Sequence, residues 1–276
     1  MKLLVAIDDG PHAQDALELA RVLCTATGSS ALVVHVLFAG PLPMESALLP
    51  EEEASEAGAL FVAAREALSG VEVETRAYGG GSPAAIVTDI SEKEDLDGIV
   101  IGSPRRHGLG RVLSGSVAIG ILNGAQTDVF IAPPGYAEVA HDGLDTVAVG
   151  YLGTPDSKVA LRRALDLVGP AGRLEVLVVA EPPVPLSLAG EDLPNPIDPD
   201  RILAEALEAV PAEVRLEGRR LDGPAAPELE KACAEGVDLL ALGSRGYGPL
   251  KRVLLGSVSG HLVRHAPCPV LVTRRA

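Results

Sequence analysis

The sequence predicts an α/β protein built as two tandem open, mostly parallel doubly wound sheets of five strands each, flanked by helices and related by a pseudo-two-fold. Three observations carry this expectation. First, short aliphatic runs alternate with longer segments of helical periodicity from end to end, the pattern of repeated βα units. Second, the 276 residues are 47% hydrophobic but only 3% aromatic, with no Trp. The cores must therefore come from Val, Leu, Ile and Ala, the residues of strands buried on both faces. Third, the chain repeats itself at one offset (243 − 102 = 141): Asp97/Asp238, Gly102/Gly243, Ser103/Ser244, Leu109/Leu250, Gly115/Gly256, Ser116/Ser257, Val117/Val258 and Ala125/Ala266 all match across it. A period this long marks duplicated domains, since solenoid repeats run about 20–50 residues. Domains over 1–142 and 143–276 are expected, each long enough to bury a core.

Leu3 to Ile7 is an aliphatic run ending at Asp8-Asp9-Gly10-Pro11, a buried strand with acids at its C-terminal edge. From about Pro11 to Thr25, Ala13, Ala16, Leu17, Ala20 and Leu23 recur at helical spacing, and Gly28 ends the helix. Ala31 to Phe38 is a second strand, apolar except at His35. After the loop opened by Gly40-Pro41-Leu42-Pro43, Pro50 followed by Glu51, Glu52 and Glu53 predicts a helix start, because acids are favoured in a first turn. Val71 to Tyr78 alternates apolar and polar residues, a strand with one exposed face. Ser82 then predicts an N-cap and Pro83 the first helical position. Ile99 to Gly102 is the fourth strand, Gly115 to Asn123 a helix, and Val129 to Ile131 the fifth strand.

Pro133 to Asp145 reads as a linker, after which the series restarts. Strands are expected at 147–149, 174–179, 213–220, 238–242 and 269–273, and helices at 157–168, 200–209, 224–235 and 257–265, with a Pro-rich loop over 181–199. The last strands, Val129 to Ile131 and Val270 to Val272, are short aliphatic edges that would be pairing hazards if left bare. The two halves are expected to join through them.

A net charge of −15 opposes binding to nucleic acid or to an anionic membrane through any broad basic surface. Local positive groups, at 105–111 and 245–252, still allow an anionic ligand. Cys24, Cys233 and Cys268 are odd in number, far apart and in no CxxC, so neither a disulfide framework nor a zinc site is expected and a reducing compartment fits. No signal-peptide pattern and no apolar stretch near 18 residues occurs, which leads to the expectation of a soluble, cytoplasmic protein.

The run Leu239 to Leu242 ends at Gly243, passes through a Gly-rich basic loop with Arg245, Gly246, Lys251 and Arg252, and re-enters a helix-compatible run at Gly256-Ser257-Val258-Ser259. Strand, loop and helix start form a phosphate cradle. Glycine admits close approach of the backbone, and the helix start offers free N–H groups and about half a positive charge. The competing reading is that such glycines only turn and cap the chain.

The G-x2-G-x9-G-S spacing of Gly243, Gly246, Gly256 and Ser257, preceded by Asp238-Leu-Leu-Ala-Leu and followed by Pro267-Cys-Pro-Val-Leu-Val, closely resembles the ATP-binding signature of the universal stress protein family. The Val5-Ala6-Ile7-Asp8 start and the Leu32-Val33-Val34-His35-Val36 strand are similar to that family too. The resemblance covers nearly the whole chain twice over and implies a tandem member, whose halves pair through their last strands. It implies that Asp8 lies by the adenosine and that the Val36 backbone meets adenine. It assigns the phosphate loops to Gly102, Arg105, Gly115 and Ser116 in the first half and to Gly243, Gly246, Gly256, Ser257 and Ser259 in the second. Ile7, Val117, Val149, Val179 and Val258 complete the implied nucleotide contacts, with Mg²⁺ accompanying the ATP. Two departures stand out. Arg105 occupies the second glycine position, and Ala118 the last hydroxyl position, of the first loop. In the second half Gly150 is read at the position of the acid, in a stretch with about two extra residues.

The expected function is that of an ATP-binding stress-response protein working as a nucleotide-dependent binding or switch module. A homodimer and an unknown protein client are its further expected partners. No GxxxxGK[ST] loop or general base is present, so hydrolysis is expected to be slow at most, with no catalytic and no metal-ligating residue assigned. A nucleotidyl-transfer enzyme of the wider adenine-nucleotide α-hydrolase-like group, for which Lys251 is the only catalytic Lys or His available near the loop, and a nucleotide-free scaffold are the alternatives. His35 is read as a satisfied strand histidine. The His261/His265 pair lacks a HExxH glutamate and is declined as a metal site, Asp8-Asp9 is read as a solvated strand end or ribose contact over a paired-carboxylate site, and Ser257 lacks a His/Asp pair for a hydrolase triad.

Overall fold

The aliphatic runs become strands β1 (Lys2–Ile7), β2 (Ser30–Leu37), β3 (Ala47–Leu48), β4 (Val73–Gly79), β5 (Gly98–Gly102) and β6 (Asp128–Ala132), then β7 (Thr146–Gly150), β8 (Arg173–Ala180), β9 (Arg215–Asp222), β10 (Leu239–Gly243) and β11 (Val270–Thr273). Between them lie α1 (His12–Thr27), α2 (Gly58–Ala67), α3 (Pro83–Lys93), α4 (Ser114–Gly124), α5 (Pro155–Leu167), α6 (Pro199–Glu208), α7 (Ala225–Cys233) and α8 (Ser257–His265). These come from a computed structural model, which describes residues 1–37, 47–48, 57–103, 114–181, 198–244 and 255–274.

Among the described residues the eleven strands form one sheet, in the order β3-β4-β2-β1-β5-β6-β11-β10-β7-β8-β9. Pairing is parallel inside each half, except that the two-residue β3 runs antiparallel to β4 at the edge. The halves meet where β6 and β11 pair antiparallel, with Ile131 opposite Val270, Phe130 opposite Leu271 and Val129 opposite Val272. Joining through the last strands is therefore as expected, and it fuses the two sheets into one.

Side chains alternate across the pleat. Leu3, Val5, Val33, Phe130, Val149 and Leu271 pack under α1, α2, α5 and α6, while Leu4, Leu32, Ile99, Val129, Leu240 and Val272 pack under α3, α4, α7 and α8. Each layer of core runs through both halves. Further hydrogen bonds bind the halves: Arg163 of α5 donates to the buried Asp128 carboxylate at 2.5 Å and to the Asp97 carbonyl at 2.9 Å, and the Arg274 N–H donates to the other oxygen of Asp128 at 2.8 Å. The linker is held on α1, where the buried Asp15 carboxylate accepts the N–H groups of Gly135 and Ala137 at 3.1 and 3.0 Å.

The Asp97/Asp238 match has a structural cause. Each carboxylate accepts the N–H of the first residue of its neighbouring strand, Lys2 or Thr146, at 2.7 Å in both halves. Leu3 pairs with Gly98 and Val147 with Leu239, so the first strands are 144 residues apart while the fourth strands of the repeat are 141 apart. The second half is three residues shorter between them. Ser82 stands at the N-cap of α3 with Pro83 first in the helix, but its side chain makes no capping bond; Thr154 and Asp198 do cap α5 and α6. The helix start at Pro50 to Glu53 lies outside the described residues, and α2 is described from Gly58.

Candidate functional site

Doubly wound sheets take ligands at the carboxyl ends of their strands, and both halves have a pocket there. Because β6 and β11 are antiparallel, the two carboxyl edges face opposite ways and the pockets open at opposite edges of the common sheet.

The first pocket, about 120 Å³, lies over the ends of β1, β2 and β5 and the starts of α1, α3 and α4. Ile7, Asp8, Val36, Gly102 and Val117 line it together with His12, Ser103 and Ala118. The Asp8 carboxylate, about half exposed, accepts the Gly10 N–H at 2.8 Å and lies 3.4 Å from His12 Nε2. The bond to His12 holds the Asp8 carboxyl below its ordinary 3.8, and the same bond raises His12 above 6.5, partial burial opposing both shifts. His35 Nδ1 is 3.0 Å from the Ile7 carbonyl, the satisfied strand histidine expected.

The second pocket is larger, about 660 Å³, within the roughly 300–1,000 Å³ of small-molecule sites. Three helix starts converge on it: Thr154 to Ser157 at α5, Ala225 at α7, and Gly256, Val258 and Ser259 at α8. Each presents the positive end of a helix dipole. Val179 of β8 and Gly243 of β10 form its floor with Leu177, Leu229 and Leu242, and Ser244 lines it where β10 ends.

Individual residues carry different duties from those their motif suggests. A Cβ on Gly243 would sit 2.6 Å from the Asp156 carbonyl carbon, and one on Gly102 2.4 Å from the His12 carbonyl oxygen. The first glycine of each loop is thus required because a helix begins against the strand end. The Ser259 hydroxyl accepts the Gly256 N–H at 2.9 Å, so it closes the first turn of α8. Ser257 begins α8, exposed and outside the pocket lining. Gly115 and Ser116 lie in the first turn of α4; Arg105, Gly246, Arg245, Lys251 and Arg252 lie outside the described residues.

The strand register corrects the reading of the second strand end. With Leu3 equivalent to Val147, the counterpart of Asp8 is Leu152, not Gly150, and no extra residues intervene before α5. By the same register Val149 matches Val5 and is buried under α5, while Tyr151 matches Ile7 and lines the pocket. An exposed apolar side chain, Leu152 at 51%, therefore stands at the second mouth where the first has a carboxylate.

Sequence reasoning passed over His12, Ser103 and Ser244. The i,i+4 spacing of Asp8 and His12 across a helix start was the available signal for the first; the two serines follow the loop glycines and were recorded only as part of the repeat. Among the described residues, no group of three His, Cys, Asp or Glu is arranged to hold a metal ion. His261 is bonded to Glu230 at 2.7 Å and stacked on His265. No helix among them is long and apolar enough to cross a membrane.

The model of the universal stress protein family matches residues 1–133 and again 143–274. A universal stress protein of Mycobacterium tuberculosis is 29% identical over 224 residues, covering 75% of this chain and 74% of its own. Among solved structures, a universal stress protein from Archaeoglobus fulgidus superposes with a TM-score of 0.73 at 21% identity, over 100% of this chain and 98% of that one. A further A. fulgidus universal stress protein, 25% identical over 48% of this chain and 97% of its own with a TM-score of 0.38, was solved in complex with dAMP.

Proposed function

We propose that this chain, which belongs to the universal stress protein family as a tandem member, binds ATP with Mg²⁺ and acts as a nucleotide-dependent binding and switch module. Residues 1–142 and 143–276 are its two domains, each with one nucleotide pocket. The observation that carries the reading is the second pocket: a cavity of about 660 Å³ at the strand ends, floored by aliphatic side chains and ringed by three helix N-termini. Aliphatic floor suits a purine face, and helix starts suit phosphate oxygens.

In this reading Val179, Gly243, Gly256 and Val258 surround the nucleotide of the second domain, with Gly246, Ser257 and Ser259 belonging to its phosphate loop. Ile7, Asp8, Val36, Gly102, Gly115, Ser116 and Val117 do so in the first, where Arg105 supplies charge. Mg²⁺ is carried on the phosphates, because the described residues offer no ligand cluster of their own. Hydrolysis is slow at most, since fast phosphoryl transfer needs a positioned base or an arginine finger. Nucleotide binding is the switch input, and a client protein in the cytoplasm responds to it.

Equilibrium dialysis of the nucleotide-stripped protein against labelled ATP with Mg²⁺ tests this. One or two ATP bound per chain is the expected result. An empty protein at millimolar ATP would overturn it.

A further inference from the structure

Two helices of the second half hold one strand of the first at both of its ends. Immediately before β5, the Asp97 carbonyl accepts from the Arg163 guanidinium of α5 at 2.9 Å. Immediately after β5, Ser103 Oγ donates to the Val263 carbonyl of α8 at 3.3 Å. The same two helices begin at the second pocket, which is lined by Asp156 and Ser157 of α5 and by Val258 and Ser259 of α8. The strand they hold ends at the first pocket, where Ile101, Gly102 and Ser103 form part of the wall. The grip is not mirrored. By the strand register the counterpart of Arg163 is Leu19 of α1, a fully buried side chain with no donor. Ser244 is the repeat counterpart of Ser103, and its Oγ has no hydrogen-bond partner among the described residues.

We propose that the two pockets are coupled through α5, α8 and β5, so that a ligand in the second tightens the binding of a ligand in the first, and the reverse. This rests on the nucleotide reading above and adds to it that the two sites work as one unit. An anion at the starts of α5 and α8 is attracted by both helix dipoles and restrains both helices. Close-packed interiors carry such a restraint along the helices to their bonds with Asp97 and Ser103. The first pocket then has a wall that is already held, and its own ligand loses less freedom in ordering it; the coupling is therefore positive. Linkage makes it equal in both directions. Couplings between sites are typically about 5- to 150-fold, and two hydrogen bonds put this one at the low end, about fivefold.

Val117 and Val258 are equivalent in the repeat, stand half-buried in the first turns of α4 and α8, and line the first and second pockets respectively. Val117→Glu and Val258→Glu each place a carboxylate where it repels phosphate, leaving chains that bind one ATP. Equilibrium dialysis with labelled ATP and Mg²⁺ gives an isotherm for each of these and for the wild type. Independent pockets would make the wild-type isotherm the sum of the other two. The expected result is instead two ATP per wild-type chain, with the product of its two association constants about fivefold above the product of the single-pocket constants. Two variants break the grip at different ends. Ser103→Ala removes the bond to α8; Arg163→Lys keeps a charge beside Asp128 but lacks the planar fork that also reaches the Asp97 carbonyl. Each, with its own single-pocket controls, should reduce the excess to less than about twofold. A wild-type isotherm equal to the sum, or an excess that survives both variants, would overturn the inference. One ATP per wild-type chain would also overturn it and leave the functional reading standing, whereas an empty wild-type chain removes that reading itself.

Discussion

Adding one methyl group at Gly243 should unsettle the second half. In Gly243→Ala the new Cβ would lie 2.6 Å from the Asp156 carbonyl carbon, 2.7 Å from its oxygen and 2.9 Å from the Ser157 nitrogen. All three are backbone atoms, so no side chain can rotate away, and ordinary contact requires α5 to retreat by roughly 0.5–0.8 Å from the strand end. The helix is not free to do so. Thr154 caps it, Ala160, Leu161 and Ala164 are buried in the core, and Arg163 is tied to Asp128. Overpacking of this kind costs about 1–3 kcal/mol. At about 2–4 °C per kcal/mol for chains of this size, the melting temperature should fall by about 2–12 °C. Because Thr154 to Ser157 also line the second pocket, ATP binding there should weaken. Gly58→Ala is the control: nothing lies within 4 Å of its Cβ position at the start of α2, so it should be neutral or stabilising by up to about 1 kcal/mol. Differential scanning calorimetry of the three proteins decides. A Gly243→Ala protein that melts with the wild type, or with Gly58→Ala, refutes the close-approach argument.

Three further perturbations have defined outcomes. Arg163→Ala leaves the buried Asp128 carboxylate without its guanidinium partner, the Arg274 N–H bond remaining, and should cost about 2–3 kcal/mol by urea denaturation, reduced from the fully buried case because Arg163 is 20% exposed; a loss under about 0.5 kcal/mol contradicts the tie. Phe130→Ala, at the fully buried centre of the β6–β11 pair, should lower stability by about 3–5 kcal/mol, read from the denaturation midpoint with an unchanged slope. The Asp8–His12 pair makes stability depend on pH. The raised His12 pKa contributes fully below 6.5 and is lost as pH rises through the folded-state value; the lowered Asp8 pKa contributes fully above 3.8 and is lost as pH falls through its folded-state value. The stability difference between wild type and Asp8→Asn should therefore peak between about pH 4 and 6.5 and shrink on both sides; a difference flat from pH 3 to 9 sinks this account.

Much of the architecture was legible because it depends on patterns that survive in one dimension. Continuous aliphatic runs such as Leu3 to Ile7 and Val129 to Ile131 need two buried faces, and the strands begin and end within two residues of those runs. Gly28 stops α1 at φ +66°, a conformation few other residues adopt. The bare edges of the last strands demanded partners, and each found the other.

What was missed depends on three-dimensional neighbours. Ser82 has the right identity for a cap, but no capping bond forms, and Pro83 supplies the helix start without it. The sequence reading sets Gly150 at the position of Asp8, whereas the pairing register, which no one-dimensional pattern displays, makes Leu152 the counterpart. Arg163 and Asp128 are 35 residues apart on different halves, with no pattern to join them. Ser103 and Ser244 sit in matching sequence, yet one hydroxyl is bonded and the other is not. The basic residues of both loops, central to the expected phosphate contacts, fall outside the described residues.

A pair of identical chains meeting across an axis must present identical cavities, and any substitution that alters one alters its mate. Carrying both halves on one chain, joined between β6 and β7, lifts that restriction while keeping the shared β6–β11 seam. Leu152 could then replace a carboxylate at one mouth without removing Asp8 from the other. Every molecule leaves the ribosome with its two unlike compartments already matched one to one, a ratio that no separate assembly step has to enforce.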